Sequence, residues 1–181
     1  GNIMPDILSA EPDSFCNVDP KGTFVAARDG SGDSTIGNAI KNNYSIGSLY
    51  FSRRGTYVMY RSYYVFNCGA ISVAPESATL KIYGFQESSA NVIAVKSAAE
   101  IELHASDYRD GLADVHSSVD TALTNSDGSG AGTLASISGF KYSEATTSWS
   151  TTGYNEMAFN ATALADMASL VAFKVCVMEY D

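Results

Sequence analysis

Residues 55–85, GTYVMYRSYYVFNCGAISVAPESATLKIYGF, decide the fold. Residues 56–66 alternate between two sets of side chains, which is typical of a long β-strand because successive side chains of a strand point to opposite faces. Pro75 then interrupts the run, since proline cannot donate to a strand ladder. Residues 78–85 alternate again, with Leu80 and Ile82 on one face and Lys81 and Tyr83 on the other. We therefore predict two strands that form a central, hairpin-like pair.

The two faces of the first strand differ in charge. The uncharged face is the predicted core face, and its members are Val58, Tyr60, Ser62, Tyr64 and Phe66. The other face carries Tyr57, Arg61 and Tyr63, and we predict that it faces outward, open to a ligand.

The rest of the chain also reads as short strands. We predict further strands over residues 23–28, 44–52, 91–95, 100–104, 155–160 and 171–180. Residues 161–168, ATALADMA, predict a helix, because Ala, Leu and Met are strong helix formers. Residues 29–38 and 124–133 predict loops, being rich in Gly, Ser, Asn and Asp.

This pattern predicts an all-β fold, an antiparallel β-sandwich of the jelly-roll kind with one short helix near the C-terminus. Residues 1–22 contain Pro5, Pro12 and Pro20 and are predicted to be an extended arm or linker. Residues 23–181 are predicted to form a single β-sandwich domain. The chain begins at Gly1 rather than Met, so we expect a processed chain, a tag remnant or a piece of a longer protein.

Composition and charge exclude several classes of partner. Of the 181 residues, 45% are hydrophobic and 17% charged, which suits one domain with a buried core. The formal net charge is −9, whereas phosphate backbones are bound through clustered Lys and Arg. No apolar run is long enough to span a membrane. We therefore expect neither a nucleic-acid partner nor membrane insertion.

The three cysteines, Cys16, Cys68 and Cys176, are widely spaced and match neither a disulfide scaffold nor a zinc site. Two interpretations remain open at this point. Either all three are small buried side chains, or two of them form a disulfide and the third is a spare thiol.

Catalytic motifs are missing from the sequence. The histidines, His104 and His116, lie in no recognisable nucleophile motif, and the chain has no GxSxG elbow, so we predict that it is not an enzyme. Asp29 and Asp33, in DGSGD, offer the hard oxygen ligands that calcium prefers. Gly and Asp also serve turns without any metal. No cofactor is expected to be required, and calcium is the one metal that the residues suggest.

Aromatic side chains indicate a candidate sugar-binding surface. Trp149 lies in a loop-like stretch, with Tyr154 and Asn155 close behind. An aromatic ring offers an apolar face to a sugar, and an amide offers hydrogen bonds. The second candidate set is the outward face of the long strand, Tyr57, Arg61 and Tyr63. The alternative is structural: Trp149 would close one end of the core, and the strand tyrosines would pack between sheets.

Two pairs of segments resemble a known family. RSYYVFNCGAI and ESATLKIYGF resemble the pattern of the DNRLRE family, a jelly-roll family related to carbohydrate-binding modules. The matching positions are Arg61, Phe66, Ser77, Ala78, Thr79, Leu80 and Tyr83. WSTTGYNEMAFNATALADM and FKVCVMEYD resemble the closing segment of versions found in phage tail and virion proteins. The matching positions are Trp149, Gly153, Tyr154, Asn155, Asn160, Leu164, Phe173, Tyr180 and Asp181.

The resemblance covers roughly residues 23–181 and implies a jelly-roll with a non-catalytic role in surface attachment or assembly. The expected protein is a virion or extracellular surface module, such as a phage tail, fibre or capsid-decoration protein. Its expected partners are other structural subunits, in a homo-oligomer or a larger assembly. The alternative function is a glycan-binding module of a larger secreted or tail protein. Either function implies a virion-surface or extracellular location.

Overall fold

A computed structural model describes residues 7, 10–18, 20–28, 34–37, 46–51, 53–84, 91–99, 140–170 and 172–179. The strands in chain order are β1 (Ala10–Asn17), β2 (Ser34–Gly37), β3 (Gly47–Phe51), β4 (Thr56–Asn67), β5 (Thr79–Tyr83), β6 (Val92–Lys96), β7 (Tyr154–Ala158) and β8 (Ala172–Glu179). The helices are α1 (Phe24–Arg28) and α2 (Ala161–Ser169). The described chain is therefore mostly antiparallel strand, as an all-β protein should be. Neither of these helices is long and apolar enough to cross a membrane.

The long strand β4 is the centre of a six-stranded sheet. Its first five residues pair with β3, residues 60–65 lie opposite β1, and residues 62–67 pair with β8. β2 extends the sheet beyond β1, and β6 extends it beyond β8. β5 lies elsewhere, because it pairs with β7 in a separate two-stranded sheet. The predicted hairpin-like pair of β4 and β5 is therefore wrong, since residues 68–78 carry the chain from one sheet to the other.

Several predicted elements are confirmed and others are corrected. The strands predicted at 44–52, 56–66, 78–85, 91–95, 155–160 and 171–180 correspond to β3 to β8, and the predicted helix corresponds to α2. The strand predicted over 23–28 is wrong, because Phe24–Arg28 form α1. Thr23 begins this helix, because its Oγ1 accepts a hydrogen bond of 3.1 Å from the backbone N of Ala26, as an N-cap does. The strand predicted over 100–104 and the loop predicted over 124–133 lie outside the described residues.

Two strands occur where none was predicted. Residues 34–37, inside a predicted loop, form β2. Residues 10–17, inside the predicted arm or linker, form β1 and pair with both β2 and β4. This part of the N-terminal segment is therefore a member of the sheet.

The central strands of the six-stranded sheet are buried on both faces. On one face a core forms beneath α1, with Val18, Phe24, Met59, Tyr63, Ile93, Val95, Cys176 and Met178. On the other face a second core forms beneath β5, β7 and α2, with Tyr64, Leu80, Tyr142, Met157, Met167, Phe173, Val175 and Val177. Alternate side chains of β4, β6 and β8 thus enter different cores. The small sheet and α2 lie on one side of the large sheet, and α1 lies on the other.

Candidate functional site

The two-stranded sheet has one buried face and one exposed face. Leu80 of β5 and Met157 of β7 are buried in the second core. The side chains that alternate with the inward-facing residues along each strand point to solvent. We call them the outer face: Thr79, Lys81, Tyr83, Tyr154, Glu156 and Ala158. The sequence alternation correctly placed Lys81 and Tyr83 on the face opposite Leu80. Antiparallel pairing sets Tyr83 opposite Tyr154 and Lys81 opposite Glu156.

Tyr83 and Tyr154 form an exposed aromatic pair on the outer face. Their side chains are 56% and 65% exposed, and the ring centroids are 5.3 Å apart at an interplanar angle of 89°. This edge-to-face geometry is the one that aromatic quadrupoles favour. The Tyr83 hydroxyl donates a 3.1 Å hydrogen bond to the backbone O of Thr152, which fixes the Tyr83 ring. Among the described residues the Tyr154 hydroxyl has no such partner.

Tyr154 also borders an open groove of about 480 Å³. The groove combines hydroxyl-bearing side chains, aromatic rings and one carboxylate, supplied by Thr146, Ser148, Ser150, Trp149, Tyr154 and Glu156. Small-molecule sites typically pair apolar rings with a few placed polar groups in this way. The structure therefore brings Trp149, Tyr154 and Asn155, all predicted from sequence, to one groove, and adds Glu156, which was not predicted.

Asn155 also lines this groove and fixes its shape through hydrogen bonds to the backbone. Its side chain is only 6% exposed, and its Oδ1 accepts a 2.7 Å hydrogen bond from the backbone N of Ser150. Its Nδ2 donates to the backbone O of Ser150 at 3.0 Å and to the backbone O of Ile82 at 3.4 Å. The amide thus fixes the loop that precedes β7, and its hydrogen-bonding groups are engaged within the protein.

Trp149 is held against the backbone of Gly84. A Cβ added to Gly84 would lie 2.6 Å from Trp149 Nε1 and 2.0 Å from the backbone O of Ser150. The backbone N of Gly84 donates a 3.0 Å hydrogen bond to the backbone O of Gly153. Trp149 is half-buried and packs against the second core, so it both closes that core and lines the groove.

The outer face carries one exposed ion pair. Lys81 Nζ lies 3.6 Å from Glu156 Oε1, and both side chains are more than half exposed. Such a pair contributes little to stability, because water screens both charges. A separation of 3.6 Å is longer than a hydrogen bond, so both oxygens of Glu156 keep their capacity to accept from a ligand.

The second predicted surface, on β4, does not face solvent. Arg61 is 0% exposed and Tyr63 4% exposed, and Tyr57 is half-buried with its ring 6.0 Å from that of Phe24. The prediction that this face points outward is wrong, because α1 packs over it. A charge on one face of a strand suggested solvent, but here the arginine lies inside a core.

The face of β4 that carries Arg61 and Tyr63 instead interacts with the thiol of Cys176 on β8. Burial raises the pKa of Cys176 to about 12, although the charge of Arg61 and a hydrogen bond from Tyr63 both act to lower it. Burial also raises the pKa of Cys68. Cys68 and Cys176 are both free and buried, so neither takes part in a disulfide.

The remaining residues that the sequence analysis considered, for calcium binding or catalysis, lie elsewhere in the chain. Asp29, Asp33, His104 and His116 lie outside the described residues. Within the described ranges, no three His, Cys, Asp or Glu side chains lie together as a metal site would require.

The chain matches no protein-family model, no curated protein and no solved structure. Function therefore has to be inferred from the chemistry of the described surface.

Proposed function

We propose that this protein is a non-catalytic attachment module that binds a glycan on the outer face of the two-stranded sheet. The observation that carries the proposal is the exposed pair of Tyr83 and Tyr154 beside the groove. A sugar ring can lay its apolar C–H face on the ring of Tyr154, and its hydroxyls can bond to the side chains of the groove.

A structural role alone accounts for only part of this placement. A cross-strand aromatic pair contributes about 0.2–1 kcal/mol to a sheet relative to alanines. Two adjacent tyrosines that are both more than half exposed leave much of their apolar surface in water. Their position at the edge of a polar groove supports a binding role, because binding would cover that surface.

A glycan array tests the proposal. We expect the wild-type protein to bind at least one glycan and Tyr154→Ala to weaken that binding by about tenfold or more, as the loss of a central aromatic anchor does. Tyr154→Phe should retain most of the affinity, because it keeps the stacking ring. Val73→Ala, which shortens another strongly exposed side chain away from the groove, is the matched control. A wild-type protein that binds no glycan, or a Tyr154→Ala variant of unchanged affinity, would contradict the proposal.

We also propose that the module is a jelly-roll and acts on a virion or other extracellular surface, in a homo-oligomer or alongside other structural subunits. The segments that resemble the pattern of the DNRLRE family and of phage tail and virion proteins support this proposal, and the antiparallel sheets of the described chain are compatible with a jelly-roll. Sedimentation velocity over a range of concentrations, with cryo-electron microscopy of any particles, tests it. A strict monomer that joins no assembly would count against the assembly role and leave glycan binding intact.

The absence of catalysis is part of the same proposal. A panel of chromogenic glycoside and ester substrates should show no turnover above the rate without protein. Turnover that survives repeated purification would overturn the non-catalytic role.

A further inference from the structure

We infer that the groove beside Tyr154 selects uncharged sugars, and that Glu156 sets this selectivity. The inference rests on the proposed function and adds to it the chemical class of the ligand. Glu156 contacts the groove directly, whereas Lys81, its ion-pair partner, is not one of the groove's lining residues.

The spacing of Tyr154 and Glu156 fits a single sugar ring. The two residues are two positions apart on β7, so their side chains leave the same face of the strand about 7 Å apart. A pyranose stacked on Tyr154 can therefore direct one edge of hydroxyls toward the carboxylate. A carboxylate has two acceptor oxygens, so it can bond to two adjacent hydroxyls of one ring.

The charges around the groove disfavour an acidic sugar. Within the groove lining, Glu156 is the one charged side chain, and it is negative. The whole chain carries a formal net charge of −9, so its surrounding field also repels anions. A sialylated or sulfated sugar would bring a second negative charge beside Glu156 without a cation in the groove to receive it.

A cationic sugar is also not favoured. Lys81 Nζ, 3.6 Å from Glu156 Oε1, already holds the cationic position beside the carboxylate, so the ammonium group of an amino sugar would have to displace it. An uncharged sugar uses the acceptor oxygens of Glu156 without bringing a second charge of either sign.

Matched glycan pairs test the selectivity. An array would carry neutral glycans together with sialylated, sulfated and amino counterparts of the same core structures. We expect the neutral member of a bound pair to bind about tenfold or more tightly than its acidic counterpart at low salt. High salt should reduce this ratio, because it screens the repulsion of the acidic member, and should leave the affinity for the neutral member nearly unchanged. Equal or tighter binding of the acidic or amino members would overturn the inference and leave the proposed function standing. Binding to no glycan at all would overturn both.

Variants at Glu156 test the residue itself. Glu156→Gln keeps an acceptor oxygen and removes the charge, so neutral binding should change by only a few fold while discrimination against acidic counterparts falls. Glu156→Ala should also weaken neutral binding by about tenfold. Glu144→Gln is the matched control, because Glu144 is exposed, pairs with Lys141 at 2.6 Å and does not line the groove. A Glu156→Gln variant with the wild-type ratio of neutral to acidic affinity would refute the role of Glu156.

Discussion

Gly84 shows how one residue determines the shape of the groove. The Gly84 backbone lies so close to the backbone O of Ser150 that a methyl group on Gly84 would have no room. The sequence could not reveal this, because Gly84 follows an ordinary strand and its contacts come from a distant loop. By contrast, the alternation of Leu80, Lys81, Ile82 and Tyr83 was sufficient to predict which side chains point outward.

Gly84→Ala should destabilise the fold and disturb the groove. The new Cβ would lie 2.0 Å from a backbone oxygen and 2.8 Å from Asn155 Nδ2, so the loop before β7 must move. Overpacking of this kind costs about 1–3 kcal/mol, which urea denaturation would measure. Gly22→Ala is the matched control, because a Cβ there meets nothing within 4 Å. Equal stability of the two variants would show that the loop does not lie against Gly84.

At the scale of elements, the sequence predicted what depends on local pattern and missed what depends on packing. α2 was predicted from its helix-forming residues, and β4 from its length and alternation. α1 was missed, because TFVAAR mixes β-branched residues with alanines, and its helical state depends on Thr23 and on burial of Phe24. The pairing of β5 with β7 was also missed, because no local signal specifies a partner so far along the chain.

The start of α2 depends on Asn160. Its Oδ1 accepts a 3.0 Å hydrogen bond from the backbone N of Ala163, and its Nδ2 donates at 2.6 Å to the backbone O of Lys141. We expect Asn160→Ala to lower the free energy of unfolding by about 1–2 kcal/mol, as loss of an N-cap does. Asn160→Ser should cost less, since its hydroxyl keeps a capping acceptor without placing a carboxylate against the Lys141 carbonyl. Chemical denaturation would rank the two variants, and the reverse order would contradict the capping role.

The turn between β3 and β4 depends on Gly55. Phe51 pairs with Thr56 across this turn, and Gly55 has a φ of +60°, in the left-handed region. Gly55→Ala should therefore destabilise the protein by about 1 kcal/mol, because a Cβ is disfavoured there. Gly55→Asn should cost less, because asparagine tolerates this conformation better. Thermal or urea unfolding would measure both, and a stabilised alanine variant would contradict the turn geometry.

At the scale of the whole molecule, the large sheet lies between two cores. Sequence reasoning predicted a strand with one inner and one outer face, as in a sheet that meets water on one side. The structure buries both, so Tyr63 and Tyr64 are both in the interior although they point in opposite directions. The charge of Arg61 was misleading in the sequence, because only the tertiary arrangement shows that its side chain is buried.

Burial of ionisable groups on both faces predicts sensitivity to alkali. Burial raises the pKa of Cys176 from an ordinary 9.0 to about 12. Burial, then a hydrogen bond to Asp166 and its negative charge, raise the pKa of Tyr142 above an ordinary 10.0. The unfolded chain loses these protons at lower pH than the folded protein does. Their contribution to stability is therefore fully present below pH 9 and is lost as pH rises toward 12.

Urea denaturation as a function of pH would measure this loss. We expect the fall in the free energy of unfolding above pH 9 to be shallower in Cys176→Ala and in Tyr142→Phe than in the wild type. Slopes are compared rather than absolute stabilities, since both variants also lose packing or a hydrogen bond at neutral pH. The same slope in all three proteins would contradict the burial of these protons.

The position of β4 also governs when the sheet can be completed during synthesis. β3 and β4 are neighbours in the chain and can pair as soon as both have left the ribosome, whereas Ser62 of β4 must wait for Val177 of β8. Until then the nascent chain presents an unpaired strand edge, with Tyr and Val side chains uncovered on both sides. Unpaired edges of this kind invite association with other chains, and such distant pairings close slowly. The emergence of β8 is therefore the step that covers this edge of β4 and removes it as a template for association.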